Sequence, residues 1–85
     1  MNVSRPEQRV LHALAQGGYI RHQRDEHGRV FEVLCFTREG YVLTTCTIAI
    51  FKGLRRKRLI ESKASGPYRI SRIGRCTVRA QPDNR

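Results

Sequence analysis

The sequence predicts a small α+β domain of winged helix-turn-helix type, one domain over residues 1–85 with its helices packed on antiparallel hairpins. Three observations predict it. A capped amphipathic segment opens the chain and stops at Gly17-Gly18. A middle region alternates β-branched and aromatic runs with Asp/Gly turns. A helix with a basic end then leads into a hairpin and a last arginine-rich helix.

Each element has its own local reason. Ser4 and Glu7 form a capping-box pattern that starts the first helix, with Pro6 tolerated in a turn whose amides lack partners. Val10, Leu11 and Leu14 recur at helical spacing and are expected in the core, with Arg5, Arg9, His12 and Gln16 opposite. Gly17-Gly18 ends the helix. Tyr19 to Arg24 and Arg29 to Phe36 read as strands joined by the turn Asp25-Glu26-His27-Gly28. Thr37-Arg38-Glu39-Gly40 repeats the turn pattern, and Tyr41 to Leu43 fits either a short strand or a distorted helical turn.

The second helix is expected to start at Thr45 or Thr47 and to end in Arg55-Arg56-Lys57-Arg58, basic residues that suit a helix C-terminus. Thr47, Ile50, Phe51 and Leu54 share one face; Ala49, Lys52, Gly53 and Arg56 share the other, where the small residues would let a surface approach closely. Leu59-Ile60 and Pro67 to Ile70 read as a hairpin around the polar loop 61–66, in the manner of a wing. A last helix from Ser71 towards Gln81 would turn Ile73, Cys76, Thr77 and Ala80 inward and Arg72, Arg75 and Arg79 outward. Gly74 weakens that helix by about 1 kcal/mol relative to alanine. Residues 81–85 read as a frayed tail. The stretch from Thr44 to Gly74 carries the winged-helix order best, with its exposed helix entering a DNA groove and its wing on the backbone.

Size and charge narrow the function classes. A chain of 85 residues has little core in which to build a deep catalytic pocket. Lys plus Arg number 17 against 7 for Asp plus Glu, a net charge of +10 that favours phosphate backbones or acidic protein surfaces. No signal-peptide pattern or membrane-length apolar run is present, so a cytoplasmic protein is expected. Cys35, Cys46 and Cys76 have no metal-site spacing and read as reduced, partly buried thiols. Cys46, ahead of the second helix, is a candidate for thiolate character, although a small buried side chain is the simpler reading.

The catalytic inventory comes out empty. His12, His22 and His27 fall on a helix face, a strand and a turn, without ligand spacing. Asp25 and Glu26 are adjacent in a turn and point apart, and there is no phosphate-binding glycine loop. The expectation is therefore no enzyme, no cofactor, no metal and no small-molecule substrate. The binding candidates are Lys52, Arg55, Arg56, Lys57 and Arg58, the wing residue Arg69, and the stripe Arg72, Arg75 and Arg79. If the winged fold brings them together, they engage roughly five to eight phosphates, with a salt slope near −0.9 for each. No Asn or Gln on that face reads bases. An RNA-binding module is disfavoured because exposed aromatics do not interleave with the basic residues.

The chain also resembles the YjhX toxin family. The shared pieces run in order over all 85 positions and include Met1-Asn2, Ser4-Arg5, Glu7-Gln8-Arg9, Leu11-His12, Gly17-Gly18, Arg24-Asp25 and Gly28-Arg29-Val30. They continue through Arg38-Glu39-Gly40, Cys46-Thr47, Pro67-Tyr68-Arg69-Ile70, Arg79-Ala80-Gln81 and Asp83-Asn84-Arg85. The resemblance implies a toxin that inhibits DNA topoisomerase I and is paired with an acetyltransferase-like antitoxin, with DNA itself a further candidate partner. It supplies no contact residues. The charge adds a constraint, since an inhibitor that mimics DNA must be acidic. The contrasting reading is a winged-helix DNA-binding transcriptional regulator.

Overall fold

The computed structural model describes residues 2–79. Three helices and five strands follow in the order α1 (Arg5–Ala15), β1 (Tyr19–Arg24), β2 (Val30–Phe36), β3 (Val42–Leu43), α2 (Ile48–Arg56), β4 (Ile60–Ser62), β5 (Tyr68–Ile70) and α3 (Arg72–Arg79). The strands form one antiparallel sheet in the order β3-β2-β1-β5-β4. The expected tail 81–85 and Ala80 lie outside the described residues.

The capping box forms as the sequence requires. The Glu7 amide donates to Ser4 Oγ at 3.3 Å, and the Ser4 amide donates to Glu7 Oε1 at 2.9 Å. α1 and α2 then end in the same way. After α1 the Gly18 amide donates to the Ala13 carbonyl and the Gly17 amide to that of Leu14. After α2 the Leu59 amide reaches the Leu54 carbonyl and the Arg58 amide that of Arg55. This paired closure needs a left-handed residue after the cap. Gly17 supplies it with φ 109°, whereas Arg58 is forced to φ 61°. Arg58 is held there because Ser71 Oγ donates to its carbonyl at 2.6 Å and the Gly74 amide in turn donates to Ser71 Oγ at 3.0 Å, tying the end of α2 to the start of α3.

Both turns close as expected, one through Asp25 and the other through Thr37. Asp25 Oδ1 accepts from the His27 and Arg29 amides, each at 2.9 Å, and Thr37 Oγ1 accepts from Tyr41. Within the ambiguous stretch 41–43, Val42–Leu43 is a strand, because Cys35 and Phe36 on β2 pair with Leu43 and Val42. The hairpin expected as a wing is present as β4–β5, and β4 runs to Ser62, into the segment expected as loop. It does not stand alone: Ile20 of β1 pairs with Tyr68 of β5, which joins it to the main sheet. The segment before α2 is β3 and a turn rather than a second helix.

Alternation sorts the sheet into two faces. Ile20, Val33, Cys35, Ile60, Tyr68 and Ile70 are buried against the helices, with Val10, Leu11, Leu14, Phe51, Leu54 and Leu59 completing the core. The other face carries Tyr19, Arg21, Leu34, Phe36, Val42, Arg69 and Glu61, and no helix among the described residues covers it.

Two helix-face assignments need correction. On α3, Ile73 and Cys76 are exposed, while Gly74 is buried. A Cβ at Gly74 would run into the Leu59 carbonyl oxygen and lie 2.7 Å from Ile70 Cγ1. The glycine that weakens the helix in isolation is what lets it dock. On α2, Gly53 is buried rather than on the open face, since its missing Cβ leaves room for Glu7 Oε2, which would lie 2.6 Å away. A neighbouring backbone at Gly74 and a buried carboxylate at Gly53 overrode the helical pattern.

Gly18 is the tightest junction with backbone on two sides. A Cβ there would lie 2.5 Å from the Phe36 carbonyl oxygen and 2.9 Å from that of Ala13. Neither atom moves without shifting α1 or β2, so Gly18→Ala should cost about 2–3 kcal/mol, measured by urea unfolding.

Candidate interaction surface

The nine basic residues singled out in the sequence go to different places. Lys52, Arg55 and Arg56 are exposed on α2, and Arg58 is exposed just beyond it. The Arg55 guanidinium lies 5.4 Å from the centre of the Phe51 ring, on the helix side of the sheet. Lys57 turns inward: its Nζ donates to Glu7 Oε1 at 2.7 Å, tying α2 to α1. A lysine held in that bond is committed to the fold rather than to a partner. Glu7 is buried, which disfavours its charged form, yet the hydrogen bonds from Lys57 and Ser4 and the charge of Lys57 together hold its carboxyl below the ordinary value.

Arg69, Arg72 and Arg75 come together elsewhere. With Lys63 and Glu61 they line a cleft of about 450 Å³ where the β4–β5 hairpin meets α3. Arg69 points to the open face of the sheet, where its guanidinium lies 5.4 Å from the centre of the Tyr19 ring. The sheet therefore separates Arg69 from Arg55, and the positive charge forms two surfaces rather than the single one expected. The side chain of Arg79 lies outside the described residues.

Several features were not legible in the sequence. Tyr19 and Phe36, opposite each other on β1 and β2, stack on the open face with ring centres 5.3 Å apart. Both rings are half-buried, and the Arg69 guanidinium lies over Tyr19. Only strand register, between β1 and β2 across the turn at 25–28 and between β1 and β5 by long-range pairing, places these two rings and Arg69 side by side. On the helix side, His22 packs edge-on to Tyr68 at 5.0 Å and lies 6.3 Å from Phe51. Burial, with the charges of Arg24 and Arg55, pushes His22 below its ordinary value, as befits a half-buried ring packed against Tyr68.

The cysteines divide as well. Cys35 and Cys46 are buried, whereas Cys76 is exposed, and all are free thiols. A hydrogen bond with Cys35, together with burial, pushes the Cys46 thiol far up, against thiolate character at the start of α2. Among the described residues no cluster of three His, Cys, Asp or Glu side chains could hold a metal. No helix of the described residues is long and apolar enough to cross a membrane.

This arrangement offers exposed cations for binding. The model of the YjhX toxin family, described as "Putative toxin of bacterial toxin-antitoxin pair", matches residues 1–85. A UPF0386 protein of Beijerinckia indica is 71% identical over 85 residues, covering the whole of both chains. A UPF0386 protein of Brucella anthropi is 67% identical over the same full length. One from Caulobacter vibrioides is 58% identical, covering all of this chain and 93% of its own. No solved structure matches the chain.

Proposed function

The chain belongs to the YjhX toxin family of bacterial toxin–antitoxin pairs, and we propose that it acts by binding DNA topoisomerase I and hindering its engagement and relaxation of DNA. A toxin of such a pair has an antitoxin partner; in this reading the antitoxin is acetyltransferase-like and the pair works in the cytoplasm. The observation that carries the reading is the charge. At net +10, with Lys52, Arg55 and Arg56 exposed on α2 and Arg69, Arg72 and Arg75 around the cleft, the chain cannot imitate DNA inside a basic channel. It meets an acidic patch of the enzyme or grips the DNA beside it.

The test is a supercoil-relaxation assay with purified topoisomerase I, paired with a pull-down from nuclease-treated lysate. Relaxation should stop at stoichiometric chain, and a topoisomerase band should survive nuclease. Unimpeded relaxation at a large excess of chain would overturn the reading.

The second reading is a winged-helix DNA-binding regulator, in which Lys52, Arg55 and Arg56, exposed on α2, would meet DNA. That reading requires a sequence-specific operator bound at nanomolar affinity in physiological salt.

A further inference from the structure

We propose that the cleft where the β4–β5 hairpin meets α3 is a binding site for a diphosphate group, either free pyrophosphate or the diphosphate of a nucleotide. Lys63, Arg69, Arg72 and Arg75 line it, and all four are exposed. Among the described residues, carboxylates pair with Lys57 and His27 alone, so none of these four cations is neutralised by an ion pair. Glu61 also lines the cleft and stands opposite Arg69 in strand register, yet it makes no ion pair there. Cations gathered in a concavity without counter-charges repel one another, and an anion placed among them relieves that repulsion.

The scaffold under these cations is fixed before any ligand arrives. Ser71, between Arg69 and Arg72 in the chain, is buried. Its amide donates to the Leu59 carbonyl at 2.9 Å, and its Oγ donates to the Arg58 carbonyl at 2.6 Å while accepting from the Gly74 amide at 3.0 Å. Arg72 and Arg75 are three residues apart on α3 and so share one side of it. Lys63 is carried by a closed loop, in which Ser62 Oγ donates to the Gly66 carbonyl at 2.6 Å and the Gly66 amide donates to the Lys63 carbonyl at 2.9 Å. The Arg69 guanidinium lies over the Tyr19 ring, a contact through its flat face that leaves the N–H groups in its plane for an anion.

Charge and size select the ligand. Four cations against the one carboxylate of Glu61 leave three positive charges in the cleft. A single phosphate group carries about 1.5 to 2 negative charges, and two joined ones carry about three. Guanidinium forks also match phosphate oxygens in pairs. The volume, about 450 Å³, suits a small ligand, whose sites span about 300–1,000 Å³. Three carboxylates on one side of an extended peptide would be spread over about 13 Å of chain, whereas joined phosphates concentrate the same charge at one place. A duplex presents its phosphates one at a time along a convex surface. A second copy of the chain would bring another net +10 to the cleft.

The inference goes beyond the topoisomerase reading, and its test contains no topoisomerase, so either can fail without the other. The full-length chain is titrated by calorimetry at about 50 mM salt with pyrophosphate, with ADP and with orthophosphate. Pyrophosphate should bind about tenfold or more tighter than orthophosphate. ADP equal to or weaker than pyrophosphate assigns the site to the free anion, and tighter ADP assigns it to a nucleotide. Arg72→Ala with Arg75→Ala should weaken pyrophosphate about tenfold or more. Arg29→Ala with Arg38→Ala removes the same charge at exposed turn positions away from the cleft and should leave the affinity within about twofold. Amide resonances of the parent chain need no variant, and pyrophosphate should move those of residues 63–75 most. Orthophosphate binding as tightly as pyrophosphate, an equal loss in the Arg29/Arg38 variant, or resonance shifts centred on α2 would each overturn the proposal. So would hexaglutamate or a duplex of about 15 base pairs moving the same amides at a lower concentration than pyrophosphate, which would give the cleft to an acidic peptide or to nucleic acid.

Discussion

Phe51→Ala should remove about 3–5 kcal/mol of stability, enough to leave the domain partly unfolded at ambient temperature. A chain of this length holds only about 4–13 kcal/mol in total. The Phe51 ring is fully buried, stands edge-on to Tyr68 at 4.9 Å and lies near His22. Truncation leaves a cavity between α2 and the sheet. Thermal unfolding followed by circular dichroism should show Tm lower by about 15 °C or more. His22 gives a local readout. Burial is the largest cause of its lowered value, so water entering the cavity should bring its titration back towards the ordinary histidine range. A Tm within a few degrees of the parent would mean that α2 is not anchored through this ring.

Lys57→Met should cost about 2–3 kcal/mol at neutral pH, because it strands the Glu7 carboxylate in a buried position without its counter-charge. The side chain of Lys57 is 27% exposed, which keeps the figure below that of a fully enclosed pair. The pH dependence separates this loss from a simple packing defect. Folding lowers the Glu7 value from the ordinary 4.5, so the unfolded chain binds more protons in that region. The stabilisation from Glu7 is therefore complete above about 4.5 and is lost as the pH falls through the folded-state value. In Lys57→Met the carboxyl keeps its burial and loses its partner, so the acid-side decline in urea midpoint should flatten. An unchanged acid limb would show that the pair contributes nothing to folding.

The positions of these residues explain what sequence reading reaches. Ser4, Glu7 and Gly17-Gly18 act over three to five residues, and α1 starts and stops where they place it. The turns at Asp25 and Thr37 likewise close through their own side chains. The Glu7–Lys57 bond spans a separation of 50 residues, and no local pattern marks the pairing. Ile73 and Cys76 illustrate the opposite failure. Helical spacing suggested that they face inward, but the buried position belongs to Gly74, where the helix must come against the Leu59 carbonyl. Spacing records side-chain polarity; it does not record how near two backbones come.

The same distinction holds for the candidate surface. The sequence by itself determined a single basic α+β domain, its helix caps and turns, its surplus of arginine, and the absence of any catalytic motif, since each of these depends on composition or on neighbours a few residues apart. Only the tertiary structure decided that Lys57 is consumed by Glu7, that Arg55 and Arg69 lie on opposite sides of the sheet, and that Tyr19, Phe36 and Arg69 share one row. The physical reason is register. Side chains alternate along each strand, so which ones meet depends on how β1, β2 and β5 are aligned, and that alignment is settled by long-range pairing and by the helices that cover just one face.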